Sequence, residues 1–311
     1  MKVQTNNARV AVVLCTYNGA AYLDAQLDSL AASSRPIDLL IVSDDGSTDT
    51  SLAIIDRHLS DWGRRVSVYP NRTNVGFAQN FFSALRRVPD DVDWIFLCDQ
   101  DDVWHRDKMA CALRRGASVD PARAYLYTCR QRLVDAAGKF VRLSPQFDRP
   151  GFRSALVQNV ATGCATMINR AALDLFLRSD PGDTEFHDWW LYAIVSGAGG
   201  VIDLDPQPLV DYRQHGGNVV GSPRSAVQDK FERLGRLWSG TSRRTIDRLL
   251  TALAANRTLL LTRNAALLDA LISARAAPWY QRAGQVVALP IERQTPLDTV
   301  ICKTFLIAGR L

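Results

Sequence analysis

At 311 residues, with 47% hydrophobic and 22% charged side chains, the chain has the composition of a globular protein with room for one large domain, or one domain with an appendage. Its formal charge of +5 is unevenly spread: residues 224–311 hold 14 Lys/Arg and 6 Asp/Glu, a net of +8, and the part before them is net −3. No helix interleaves aromatic and basic residues in the way nucleic-acid readers do, so a nucleic-acid partner is excluded at this stage.

In chain order, Val10 to Leu14 is a continuous apolar run and reads as a strand covered on both faces. The loop Thr16-Tyr17-Asn18-Gly19 follows, and Tyr22, Leu23, Leu27 and Leu30 recur at helical spacing up to about Ala32. Leu39 to Val42 is a second strand, ending in Ser43-Asp44-Asp45-Gly46-Ser47-Thr48-Asp49. Ser47 or Thr48 is expected to cap the helix through Leu52, Ile55 and His58, and Asp49 reads as a turn-making and helix-capping residue. Val66 to Tyr69 is a third strand, Phe77 to Arg87 a helix and Trp94 to Cys98 a fourth strand. Strands alternating with helices predict an α/β fold with a mostly parallel, Rossmann-like sheet, whose ligands bind beyond the carboxyl ends of the strands. The polar clusters TYNG, DDGSTD and DQDD all fall at such ends.

Farther along, a helix is expected from Lys108 to about Ala117, then separate strands over Tyr125–Thr128 and Gln131–Val134 and a turn at 135–139. Arg142 to Phe152 reads as irregular and flexible, and Ala161 to Ile168 as a strand lining the site. Helices are expected from Arg170 to Leu177 and from His187, with a short strand from Val201 to Leu204 between the second of these and the glycine-rich VDYRQHGGNVV. Beyond Pro223 the chain becomes arginine-rich and helical, with Ile246, Leu250, Leu253, Leu260, Leu267 and Leu271 close to a helical repeat. We therefore divide it into a catalytic-type domain, 1–223, and a basic helical extension, 224–311, that either packs on the core or lies on a membrane surface. No run reaches the ~20 apolar residues a spanning helix needs. The N-terminus lacks the pattern of a signal peptide. Six cysteines without a CxxC pair suit the reduced core of a cytoplasmic protein.

Asp99, Asp101 and Asp102 place three carboxylates in four residues at the end of an apolar strand. Such a cluster needs a cation or donors to offset its repulsion, and Mg2+ or Mn2+ takes oxygen ligands while leaving positions for phosphate. A solvated, idle loop is the alternative reading of that stretch alone.

The ordered set AVVLCTYNGAAYL, IVSDDGSTDTS, NVGFAQNF, FLCDQDDVW, TGCATMINRAAL, HDWWL and YRQHGGNVVG resembles the inverting glycosyltransferases of family 2, with the GT-A fold. DQDDVW, HDWW and YRQHGGN together are most similar to bacterial rhamnosyltransferases that build cell-surface polysaccharide. The resemblance covers roughly residues 9–221 and implies a nucleotide-sugar donor, with a dTDP-sugar preferred, and a glycan or polyprenyl-diphosphate-linked acceptor. It assigns Thr16, Tyr17, Asn18 and Asp45 to the nucleotide, Asp45 by accepting the imide N–H of the base. Asn74 lies near the donor. Asp101 becomes the direct metal ligand, with Asp99 nearer the ribose and Asp102 holding a sugar. Asp188 becomes the base that deprotonates the acceptor hydroxyl, with Trp189 and Trp190 excluding water, raising its pKa and stacking on sugars. His215 is a further metal or phosphate ligand, helped by Arg213. Transfer from a UDP-sugar and a silent nucleotide- or glycan-binding module are the rival functions. No GxGxxG follows a strand, which disfavours a dinucleotide oxidoreductase.

Overall fold

The structure is a computed structural model that describes residues 8–60, 62–63, 65–216 and 241–311. The boundary expected at 223/224 and the glycine-rich residues 217–220 lie outside the described residues.

The first half alternates strand and helix as its apolar runs require. Strands β1 (Val10–Thr16), β2 (Leu39–Asp44), β3 (Arg65–Pro70) and β4 (Trp94–Cys98) are separated by helices α1 (Leu23–Ala31), α2 (Ser51–Ser60) and α3 (Phe77–Leu85). A two-residue strand β5 (Val103–Trp104) and helix α4 (Lys108–Gly116) follow. Next come β6 (Tyr125–Val134), β7 (Phe140–Leu143), a short helix α5 (Phe152–Ala155), a 3-10 turn at Gly163–Ala165, β8 (Thr166–Asn169), α6 (Arg170–Leu177), α7 (His187–Gly197) and β9 (Val201–Arg213). The C-terminal part forms α8 (Thr241–Ala255), α9 (Thr262–Ala276), α10 (Trp279–Ala288) and α11 (Pro296–Ile307).

Nine strands among the described residues form one mixed sheet, ordered β3-β2-β1-β4-β8-β6-β9-β5, with β7 added on β6. The β3-β2-β1-β4 half is parallel, β8 runs antiparallel to both β4 and β6, and β6 pairs parallel with β9. Strand periodicity sorts the side chains into two layers. Ala11 and Val13 of β1 and Ile95 and Leu97 of β4 pack with α3, α6 and α7 on one face. Val10, Val12, Leu14, Trp94 and Phe96 pack with α1, α2 and α4 on the other.

Tertiary context altered several local expectations. The two strands expected over 125–134 are one ten-residue strand, because register shifts at Cys129–Gln131 absorb the break in pattern while pairing with β9 continues. The strand expected over Val201–Leu204 extends to Arg213 for the same reason. Ala161–Ile168 is not one strand: Thr162 O accepts from Ala165 N, closing a 3-10 turn, and only Thr166–Asn169 joins the sheet. Neither Ser47 nor Thr48 caps α2; Asp49 Oδ1 accepts from Ser51 N at 2.9 Å. Residues 142–152 begin in β7 and are then tied down. Gln294 Oε1 accepts the N–H groups of Asp148 and Arg149, and the Tyr192 hydroxyl accepts that of Gly151.

The basic extension packs on the core. Ile246, Leu249, Leu250 and Leu253 of α8, Leu268 and Leu271 of α9, and Cys302 and Leu306 of α11 belong to the same apolar cluster as Trp190 and Leu191 of α7. No described helix is long and apolar enough to cross a membrane.

Candidate active site

The carboxyl ends of β1, β2 and β4 converge, and their polar residues bind one another before any ligand is considered. Thr16 Oγ1 donates to Asp44 Oδ1 at 2.7 Å, and Asp44 Oδ2 accepts from Ser47 N at 2.9 Å. Asp44 is therefore a loop brace. Asp45 turns to the cavity side and accepts from Asn71 Nδ2, Val75 N and Gly76 N at 2.8–2.9 Å, which shapes the 71–76 loop around its carboxylate. Asn18, at φ 48°, gives its N–H to Ser47 Oγ and accepts Thr48 N on its side chain, clamping the first loop to the second. Gln100 does the same between the first loop and the third: its Oε1 accepts Tyr17 N at 2.7 Å and its Nε2 donates to Tyr17 O at 3.0 Å.

These loops border a cavity of about 870 Å3. Thr16, Tyr17, Asp45, Asn74, Asp99, Asp101 and Asp188 all line it. The other expected site residues stand beside it. Asp102 is buried, accepts Arg213 N at 3.0 Å, and leaves Oδ2 without a partner. Arg213 donates from Nε to Asp101 O and from Nη1 to Ala136 O, holding the acidic loop against the β6–β7 turn. His215 stacks on Tyr22 and brings Nε2 to 2.8 Å from Asp101 Oδ2.

Burial dominates the electrostatics. It raises the Asp99 carboxyl well above its usual range, with the charges of Asp102, Asp101 and Asp188 adding to it. It lifts Asp102 to about 7, with Asp101 contributing. The buried cation beside them is Lys108, whose Nζ donates to Cys164 O at 2.7 Å and lies over the Trp104 ring; desolvation lowers it to about 8. Asp99, Asp102 and Cys164 bring potential ligand atoms within 4.8 Å of one another. Burial pushes the Cys164 thiol up, so it remains protonated, and a hard divalent cation prefers the oxygens. The Asp99 carboxylate and the unpartnered Asp102 Oδ2 of that group offer oxygens that suit such a cation, and Asp101, on the same loop, pairs with His215.

Asp188 opens α7 on the opposite flank. Its Oδ1 accepts Trp189 N at 2.7 Å and its Oδ2 accepts Gly163 N at 3.0 Å. Burial raises its pKa to about 6, against the lowering effect of these donors and of Asn159. Gly163 also faces the other carboxylate: a Cβ built on it would lie 3.8 Å from Asp99 Oδ2 and 2.6 Å from His187 Nε2. His187 is buried against Phe81, and desolvation holds it neutral with a pKa of about 3. The two tryptophans, both expected to stack on sugars, are placed differently. Trp189 lines the cavity, but Trp190 is fully buried in the core and cannot reach a ligand.

Sequence reasoning missed four supports. Gln100, Asn159 and Gly163 act through backbone and loop contacts with no sequence signal. Lys108 had one: it shares the buried stripe of α4 with Met109, Ala112, Leu113 and Gly116, where a lysine is out of place. Arg130, Phe147, Thr245, Ile246 and Arg293 form another wall of the same cavity.

Comparison with known proteins identifies relatives in sequence and in fold. The chain is 28% identical over 256 residues to the dTDP-rhamnosyl transferase RfbG of Shigella flexneri, covering 78% of this chain and 84% of that protein. Its fold is similar to that of TarS 1–349 from S. aureus, solved with UDP-GlcNAc, at a TM-score of 0.54 and 15% identity over 97% of this chain and 89% of that one. It is likewise similar to the mannosyltransferase PcManGT from Pyrobaculum calidifontis, solved with GDP-Man and Mn2+, at a TM-score of 0.53 and 18% identity over 97% and 85% of the two chains. The sheet, its flanking helices and these neighbours establish a GT-A fold. The glycosyl transferase family 2 model matches residues 11–176, more than half of the sequence, and the chain belongs to that family.

Proposed function

We propose that the protein transfers L-rhamnose from dTDP-β-L-rhamnose, with inversion, to a lipid-linked or polysaccharide acceptor in the assembly of a cell-surface glycan. One observation carries this reading: Asp99, Asp101 and Asp188 line a single cavity, and Gly163 lies against both Asp99 and Asp188. The similarity to a dTDP-rhamnosyl transferase supports the choice of donor.

In this reading Thr16, Tyr17, Asp45 and Asn74 surround the base and ribose. Asp45 already accepts three donors, and a carboxylate retains a lone pair for an imide N–H. Asp99 faces the ribose side of the diphosphate. Asp101 and His215 would hold Mg2+ or Mn2+, which supplies charge to offset that of the departing nucleoside diphosphate. Asp102 Oδ1, Arg213 and Asn18 keep these loops in place. Asp188 removes the proton from the acceptor hydroxyl as that oxygen attacks the anomeric carbon from the face opposite the leaving group. A β-linked donor then yields an α-rhamnoside. Thr245, Ile246 and Arg293, from the described part of the extension, form the acceptor wall.

The test is a panel of dTDP-, UDP- and GDP-sugars with Mg2+ or Mn2+, scored by thermal shift and by slow nucleotide release. Stabilisation and turnover by dTDP-rhamnose alone support the proposal. A UDP-sugar as sole substrate moves the assignment to hexosyl or N-acetylhexosaminyl transfer. Donor binding unaffected by Asp188→Asn, with no turnover in either form, identifies a silent binding module.

A further inference from the structure

The described helices of the C-terminal extension are of two kinds. On α8 and α9 the large apolar residues turn inward. On α10 and α11 a second apolar set turns outward. Val286 and Leu289 fasten α10 to the core, yet Trp279, Tyr280 and Val287 on the same helix are 75%, 64% and 65% exposed. At 100° per residue these three, with Ala283 and Gly284, fall in one sector of about 140°. On α11, Cys302 and Leu306 turn inward while Leu297 and Val300 are 64% and 61% exposed, in line with Thr304 and Ala308. Neither outward face contains a charged residue.

The two helices pack together, and Lys303 Nζ binds them by donating to Val287 O and Leu289 O. Charge lies at the edge of the face instead. Arg282 donates to Ala277 O and Arg243 to Gly309 O, and residues 241–311 as a whole hold ten Lys/Arg against four Asp/Glu.

Single exposed apolar residues need no explanation, but five large ones on two adjoining helices with uncharged outward faces do. A Trp and a Tyr beside aliphatic residues, bordered by cations, match the composition of a surface that sits in the headgroup layer of a membrane. A second copy of this chain fits less well, because a two-fold contact would set the same cationic border against itself. We propose that the outward face of α10 and α11 docks on a bilayer of anionic lipid, with Trp279, Tyr280, Val287, Leu297 and Val300 entering the interface. The same segment supplies Arg293 and Leu311 to the cavity wall, so docking brings the cavity to the lipid surface. The purpose of this contact rests on the lipid-linked acceptor proposed above; the contact itself does not.

The experiment is co-sedimentation of the full chain with vesicles of phosphatidylglycerol and phosphatidylethanolamine, and with phosphatidylcholine vesicles, at low and high salt. The expected result is binding to the anionic vesicles, weakened by salt, and reduced about tenfold or more in Trp279→Ser/Val287→Ser. Donor-induced thermal shift in that variant should equal the wild type, which excludes misfolding. Equal binding to both vesicle types, no binding, or no effect of the double substitution overturns the proposal. So does a wild-type dimer in vesicle-free buffer that the variant converts to monomer. Vesicle binding with no turnover of any donor would remove the transferase reading and leave this one standing.

Discussion

Asp188 has the clearest change in chemistry at the scale of single residues. Burial raises its pKa from 3.8 to about 6, so the basic carboxylate form grows as pH rises through that value. Turnover should climb between about pH 5 and 7 and level off above, with an ascending limb near 6 in a pH–rate profile at saturating donor. Asp188→Asn should lower turnover by roughly 10²–10⁴-fold while calorimetric donor affinity stays near wild type. Lys108 acts on the other flank. Replacing it with Met leaves Cys164 O without its donor and the acidic cluster without its buried cation. The expected cost is about 1–3 kcal/mol in chemical unfolding, and an altered Mn2+ titration alongside it.

At the scale of elements, the 3-10 turn at Gly163 joins the two flanks. Its N–H holds Asp188, and its Cα lies against a His187 ring that is itself stacked on Phe81 at 3.8 Å. A side chain there must displace an aromatic stack rather than a flexible end. Gly163→Ala should therefore destabilise the fold by roughly 1–3 kcal/mol and lower turnover more than donor binding, read by unfolding and by the split between kcat and donor Kd. This turn also shows why local pattern misled. ATGCATMI has the apolar, β-branched composition of a strand, but its first half closes a 3-10 turn in which Gly163 gives its N–H to Asp188 and lies beside Asp99. The opposite error arose in β6, where Cys129 and Arg130, left between two expected strands, are absorbed by shifts of register against β9.

At the scale of the whole molecule, the extension and the sheet share a core. Leu253 and Leu268 are fully buried in the cluster that includes α7. Leu253→Ala should cost about 2–5 kcal/mol and shift a single cooperative unfolding transition, followed by tryptophan fluorescence, rather than melt the extension separately.

The alternation of strands and helices up to β4, the polar loops at those strand ends and the identity of the acids were determined by the linear sequence, because side-chain periodicity is a property of neighbouring residues. Tertiary structure decided which of those acids share a cavity. It turned Asn18, Asp102 and Arg213 toward loop bracing, buried Trp190, and brought α8 and Arg293 to the cavity wall. Those outcomes depend on contacts between residues tens to hundreds of positions apart, where space-filling and hydrogen-bond satisfaction, not local pattern, choose the partner.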